Sequence, residues 1–399
     1  MKLKFFQQCL VFSFLCFIYV LSSWADSFES FGISTEGVSS KALFRTDILI
    51  ADKSKTNNIF EVTEGMSISA QIKIDSKDIG KIGSIYVVAF FENSAFFKIG
   101  DNAWEVWQEP HVLDTLLPNR GPHSLESQET INITKQFYGQ EGKYIIYMGY
   151  KIDNNIIYNA QPFKFFIKRS LNDTGSLVCL DSSSKSKTCL IDHYPGQDAT
   201  YGRDFEAVSG TLAKKGDGLG GFDFSKIADN GDVLPNNATE WSCIRDNVTG
   251  LLWEAKKEDG KLHDKSWKFT WFEQNIKNNA SFEGVAQTPG VLCTNQSVCN
   301  TFAFVQSVNQ EGWCGQNNWR LPSVDELTNI TNLNLVIPAI DESYFKYTQS
   351  LLNDLYWSST PVVKNNQFAW AVDFFAGQNK WKDKSSRQYV RLVADLYHP

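Results

Sequence analysis

Along residues 26–170 apolar and polar positions alternate over short stretches, the period of a half-buried strand. Ala42 to Ile50, Ser67 to Ile74, Ser84 to Phe91, Thr130 to Thr134, Lys143 to Tyr150 and Pro162 to Lys168 are rich in β-branched and aromatic residues. Turn-prone polar stretches, such as Lys53 to Asn58 and Asp153-Asn154-Asn155, fall between them. This spacing predicts an all-β, Ig-like sandwich of two antiparallel sheets. Tyr144 to Tyr150 reads as a core strand leading into a hairpin, and Trp104 and Trp107 read as loop residues covering one end of the sandwich.

The pattern changes at residue 171. Residues 171–240 are rich in Gly, Asp, Ser and Lys with little periodicity, and read as a connector. Gly216-Asp217-Gly218-Leu219-Gly220-Gly221 lacks the preceding strand and following helix of a phosphate-cradling loop. Asp217, Asp223, Asp229 and Asp232 are spaced as calcium ligands often are, but the ligand order of an EF-hand and its closing Glu are missing. They read as solvated turn residues, with a calcium site as the alternative; no other cofactor is expected.

Residues 241–396 combine helical and strand patterns, an α+β domain. Thr301 to Asn309 fits a short helix. Ser323-Val324-Asp325-Glu326, just after Pro322, is a capping box that opens a second helix to about Thr331. Tyr356 to Thr360 reads as a strand. Phe368, Trp370, Val372 and Phe374 alternate with Ala369, Ala371 and Asp373, a turn falls at Gly377-Gln378, and Val390 to Val393 closes the sheet. Trp253 and Trp357 are expected in the core. Arg320, between Trp319 and Leu321, is expected in a partly buried ion pair with Asp325 or Glu326.

The N-terminus and the cysteines point to export. Lys2 and Lys4, the apolar run Cys9–Leu21 and Ser23-Trp24-Ala25 have the three-part layout of a secretory signal over residues 1–25. Its apolar run is too short for a span of roughly 20 residues, so the mature chain is not expected to cross a membrane. Cys179, Cys189, Cys243, Cys293, Cys299 and Cys314 remain after cleavage, and an even count in an oxidising compartment reads as disulfides. Cys179–Cys189 and Cys293–Cys299 suit short loops, which leaves Cys243–Cys314; the other connectivities stay open, and no C-x2-C spacing suggests zinc. Formal net charge is −7, and −9 once Lys2 and Lys4 are removed, which argues against a nucleic-acid partner.

One further set of motifs runs in order through the last third of the chain. It comprises Thr249-Gly250-Leu251-Leu252-Trp253-Glu254, Cys314-Gly315, Trp319-Arg320-Leu321-Pro322-Ser323 with Glu326-Leu327, Tyr356-Trp357-Ser358-Ser359 and Val390-Arg391-Leu392-Val393. Residues 241–396 thereby resemble the Lcl C-terminal domain family, a bacterial domain of unknown function named after a collagen-like adhesin that ends in it. Gly196-Gln197-Asp198, Gly202-Arg203-Asp204 and Gly221-Phe222-Asp223-Phe224 resemble the preface often found before it. The Arg-Leu-Pro-Ser…Glu-Leu element is also similar to one in formylglycine-generating enzymes. That likeness implies a C-type-lectin-like fold and carries over no catalysis. In the adhesin the resemblance implies a trimer that binds sulfated glycans. This chain departs from it in lacking a Gly-X-Y stalk and in being acidic.

These readings converge on a secreted, periplasmic or surface-exposed binding protein, whose C-terminal domain recognises a glycan or a surface protein. The alternatives are a structural component of an envelope apparatus and a glycan-acting enzyme. No H-E-x-x-H or G-x-S-x-G is present, so no enzyme is expected. The candidate ligand residues are Lys380, Trp381, Lys382, Lys384 and Arg387, cations around one Trp in an acidic chain. A Trp there can stack on a sugar while Lys and Arg meet sulfate or carboxylate.

Overall fold

The computed structural model describes residues 28–396 apart from 51–52, 55–58, 62–64, 93, 102, 109–110, 138, 181–184, 187–188, 190–195 and 287–298. The expected signal over 1–25, with Cys9 and Cys16, and Cys293 lie outside the described residues. The chain divides into two compact units, one ending at Arg169 and the other spanning Ser170–Leu396.

In the first unit the strands are β1 (Phe28–Ser34), β2 (Ser39–Ile50), β3 (Lys53–Ser54), β4 (Ile59–Glu61), β5 (Met66–Lys73), β6 (Ile82–Phe91) and β7 (Ser94–Ile99). They continue as β8 (Ala103–Val106), β9 (Arg120–Ser124), β10 (Gln128–Phe137), β11 (Gly142–Ile152), β12 (Asn155–Asn159) and β13 (Phe163–Lys168). Alternation explains them. Met66, Ile68, Ala70 and Ile72 of β5, Tyr144, Ile146, Met148 and Tyr150 of β11, and Phe163, Phe165 and Ile167 of β13 all enter one core. Each Ile, Met and Phe among them contributes roughly 1.5–3 kcal/mol by leaving water.

Two separate sheets are expected from the sequence; the pairing instead runs as one curled ladder, β10-β5-β2-β1-β12-β11-β6-β7-β8. The reason lies in β11, which pairs with β13 from Gly142 to Ile146 and with β12 from Gly149 to Ile152. At the change of partner the Met148 N–H donates to Asn159 Oδ1 at 2.7 Å, and Asn159 Nδ2 donates to the Gln161 carbonyl at 2.9 Å. Gly149 is required there, because a Cβ would sit 2.8 Å from the Ile157 carbonyl oxygen. A second apolar cluster, Val88, Ala95, Phe97, Trp107 and Leu116, covers the other face of β6 and β7. Trp107 is buried there, with Nε1 donating to Thr115 Oγ1 at 3.0 Å. Trp104 lies in β8, a strand where a loop is expected.

In the second unit the strands are β14 (Cys179–Leu180), β15 (Lys185–Ser186), β16 (Phe224–Ile227), β17 (Cys243–Asp246), β18 (Leu251–Glu254) and β19 (Phe269–Thr270). After two helices come β20 (Leu355–Pro361), β21 (Phe368–Asp373), β22 (Asn379–Asp383), β23 (Arg387–Gln388) and β24 (Val393–Asp395). The helices are α1 (Gly202–Ser209), α2 (Thr301–Glu311) and α3 (Val324–Thr328). Strands β16-β17-β18-β24 form one antiparallel sheet and β20-β21-β22 another. Asn300 caps α2 by accepting from the Ala303 N–H at 2.8 Å, and Gly312 ends it in the left-handed region. The capping box of α3 is formed: the Glu326 N–H donates to Ser323 Oγ at 3.1 Å and the Ser323 N–H to Glu326 Oε2 at 2.8 Å.

Helix α1 lies in the stretch that reads as a connector, and its polarity is inverted. Asp204 is 1 % exposed, whereas Phe205 and Val208 are 45 % and 57 % exposed. The helix is amphipathic, but its polar side is the one turned inward, so its apolar face does not mark what it buries. The described disulfides of this unit are Cys179–Cys189 and Cys243–Cys314, the latter closing a sequence separation of 71 residues. Cys299 is buried and disulfide-bonded too. No described helix is long and apolar enough to cross a membrane.

Candidate functional site

Strand β21 divides two buried clusters. Ala369 and Ala371 sit on one face with Trp357 and Leu355; Val372 and Phe374 sit on the other with Tyr356 and Tyr389. The alternation expected for β21 is present, but its polarity is partly reversed: the alanines point into a core, while Phe368 and Trp370 stay partly exposed. Helix α3 covers the Val372 end of their face through Leu327 and Val324. Beyond α3 the face becomes more exposed, Phe368 and Trp370 being only partly buried. Trp381 of β22 is the cross-strand partner of Trp370, and it is 54 % exposed, with its ring 5.3 Å from that of Phe368. Three aromatic side chains therefore share one open face.

The cations expected around Trp381 do not join it. Successive residues of a strand point to opposite faces, and the register of β22 is unbroken. Lys380 and Lys382 thus lie on the face of Ala371 and Ala369, away from Trp381. Lys380 Nζ pairs with Asp373 at 2.7 Å; burial alone would raise the Asp373 pKa, but Lys380 and the Ala376 N–H hold it low. Lys384 is fully buried. Its Nζ donates to the Asn279 and Phe282 carbonyls at 3.0 and 2.7 Å and lies 4.1 Å over the Trp271 ring, and desolvation pulls its pKa down to about 8. Arg387 donates from Nε and Nη2 to the Lys268 carbonyl at 3.2 and 2.8 Å. On the Trp381 side of β22 stand Asn379 and Asp383. Asn379 Oδ1 accepts from Thr328 Oγ1 at 2.8 Å, and Asp383 Oδ1 accepts from the Ser385 N–H at 2.8 Å.

The motif residues hold the scaffold. Trp253, Trp319 and Trp357 are buried; Trp357 Nε1 donates to the Phe269 carbonyl at 2.8 Å and Trp319 Nε1 to the Trp313 carbonyl at 3.0 Å. Pro322 contributes its carbonyl to the Ser359 N–H at 2.7 Å. Arg320 is bidentate to Glu326, at 2.8 and 2.7 Å, and also reaches Asp395 at 3.1 Å. Glu326 is one of the two partners expected; Asp395 replaces Asp325, because β24 runs beside Arg320 and exchanges backbone bonds between Arg320 and Val393. Burial would lower the Arg320 pKa, but the two carboxylates raise it on balance.

A buried ionic group behind β18 is not legible as such in the sequence. Glu254 Oε1 accepts from Lys256 Nζ at 2.8 Å and lies 2.9 Å from His263 Nδ1, while Oε2 accepts from the Leu392 N–H at 3.0 Å. Burial opposes ionisation of Glu254, yet Lys256 and His263 outweigh it and bring the carboxyl to about 2. Arg391 donates to the Glu254 carbonyl at 2.7 Å and to Thr348 Oγ1 at 2.8 Å, with its guanidinium against the Phe345 and Tyr356 rings. Glu254 ends one motif and Arg391 is the second residue of another; the β18–β24 pairing brings the two segments together.

Asp217, Asp223, Asp229 and Asp232 do not gather as ligands. Asp223 accepts from the Lys215 and Gly216 N–H groups, both at 2.8 Å, and so fixes a turn. The group of carboxylates that does form among the described residues is Asp173, Asp198 and Asp204, with ligand atoms within 4.8 Å of one another. There Asp204 accepts from the Gly175 and Gly221 N–H groups at 2.7 and 2.6 Å, and burial, with Asp173 and Asp198 nearby, raises its pKa.

Residues 242–394 match the Lcl C-terminal domain family, so this segment is an Lcl C-terminal domain. No match is found among curated proteins or among solved structures.

Proposed function

We propose that this is an exported or surface-exposed bacterial binding protein that presents its Lcl C-terminal domain as a recognition head for glycans. In this reading the second unit is C-type-lectin-like, the first is an all-β spacer, and the ligand seat is the face of β21 and β22 that carries Trp381. The observation that carries it is the exposed Trp381 beside partly exposed Phe368 and Trp370. Such rings offer a flat apolar surface that matches the C–H face of a pyranose. The partner in this reading is a glycan at a cell surface, without turnover. Binding of the oxidised chain 26–399 to a broad glycan array tests it. Saturable binding that Trp381→Ala weakens by about tenfold or more, with the bound glycan recovered intact, is expected. A chain that binds no glycan, or that cleaves it, counts against the proposal.

A further inference from the structure

We infer that the glycan is uncharged, and that its seat is the aromatic face of Phe368, Trp370 and Trp381 rather than a cationic pocket. The inference rests on the glycan reading above and narrows it by a charge count around the site. Of the four basic residues between 380 and 387, two are committed to backbone carbonyls and one to a buried carboxylate. Lys384 is enclosed by two carbonyls and the Trp271 ring, Arg387 is spent on the Lys268 carbonyl, and Lys380 is paired with Asp373. Lys382, like Lys380, lies on the opposite face of β22 from Trp381.

Beside Trp381 on its own face stand Asn379 and the carboxylate Asp383, the latter opposite Phe368. A sulfate brought to the Trp381 ring would meet a carboxylate in a chain of net charge −7 and find no lysine or arginine of β22 on that face. An uncharged sugar meets the same groups favourably. Its C–H face covers the rings, while its hydroxyls donate to a carboxylate or an amide oxygen, the stronger acceptor being the charged one. Binding of this kind involves no ion pair with the ligand, so salt should leave it nearly unchanged, whereas sulfate recognition weakens as salt rises.

The test is a titration of the full oxidised chain with tetrasaccharides of β1,4-linked N-acetylglucosamine, glucose and mannose, beside heparin and chondroitin sulfate. Each is run at about 0.05 and 0.5 M sodium chloride, a range over which the Debye length falls severalfold. Wild type, Trp381→Ala and Lys382→Ala are compared, with circular dichroism confirming that each variant is folded. The expected result is binding of at least one uncharged tetrasaccharide with less than about twofold change with salt. Trp381→Ala should lose about tenfold or more, and Lys382→Ala less than about twofold. Salt-sensitive binding of the sulfated chains alone, weakened by Lys382→Ala, overturns this inference and leaves the glycan reading intact. Binding of uncharged sugars that survives Trp381→Ala overturns the assignment of the seat. No binding to any of the five overturns both the inference and the reading on which it rests.

Discussion

Glu254 shows how one buried residue depends on its partners. Its carboxylate has no exposure and is satisfied by Lys256, His263 and the Leu392 N–H. Removing the charge leaves the Lys256 ammonium buried and unpaired, a loss of about 3–5 kcal/mol. The pH dependence follows from a carboxyl held at about 2 when folded, against 4.5 for an exposed glutamate. Above pH 4.5 the stabilisation is fully present; as pH falls through the folded value it is lost, because the unfolded chain takes up the proton first. Urea unfolding of the second unit should therefore find Glu254→Gln less stable than wild type at pH 7, with the gap narrowing at pH 3. A gap that stays constant would mean that the carboxylate is not held low by its partners. Lys384 teaches a different lesson. Within a stretch of cations expected to meet a ligand, it is the one that closes the interior around the Asn279 and Phe282 carbonyls.

At the scale of the element, α3 is a helix of five residues held by its ends. The Ser323 hydroxyl and the Glu326 carboxylate satisfy each other's backbone N–H, and Glu326 at the same time anchors Arg320 to the helix. Ser323→Ala should cost about 1 kcal/mol, read as a lower urea midpoint of the second unit, while Ser323→Thr should retain most of it. An unchanged midpoint for Ser323→Ala would mean that packing of Leu327 and Val324 against the core, not the cap, holds α3. The cap was legible because its signal is local, a spacing of three residues. The orientation of β21 was not, because Ala369 and Ala371 become core only once they join Trp357 and Leu355 in one cluster. Likewise α1 is amphipathic in sequence, but that it turns its Asp204 side inward is decided only by what packs there.

Across the whole molecule the cysteines distinguish the two units. The first has none beyond the expected signal, and the second carries Cys179–Cys189 and Cys243–Cys314. On the chain-entropy account the longer loop contributes about 4 kcal/mol and the shorter about 3. Reduction with a thiol should thus lower the unfolding midpoint of the second unit alone, resolved by hydrogen exchange read separately over residues 28–169 and 170–396. Equal loss of protection in both would show that the first unit depends on the second for its stability. The family motifs were legible over much of the second unit because they are contiguous words in sequence. Their roles were not, since Arg320 meets Asp395 of β24, and Glu254 meets Arg391 just ahead of that strand.

What the sequence by itself determined is local. It specified the strand alternation of the first unit, the capping box, the tryptophans that became core and the ordered motifs of the Lcl C-terminal domain. Each depends on a few neighbouring residues whose period or pairing is written in the chain. What only the tertiary structure decided is non-local. Strand β11 changes partner and makes one ladder of the first unit. The pleat of β22 places its cations and its tryptophan on opposite faces. Which side of a strand faces water is settled by what packs against it, and a basic stretch of sequence becomes a ligand site only if its charges end on one surface.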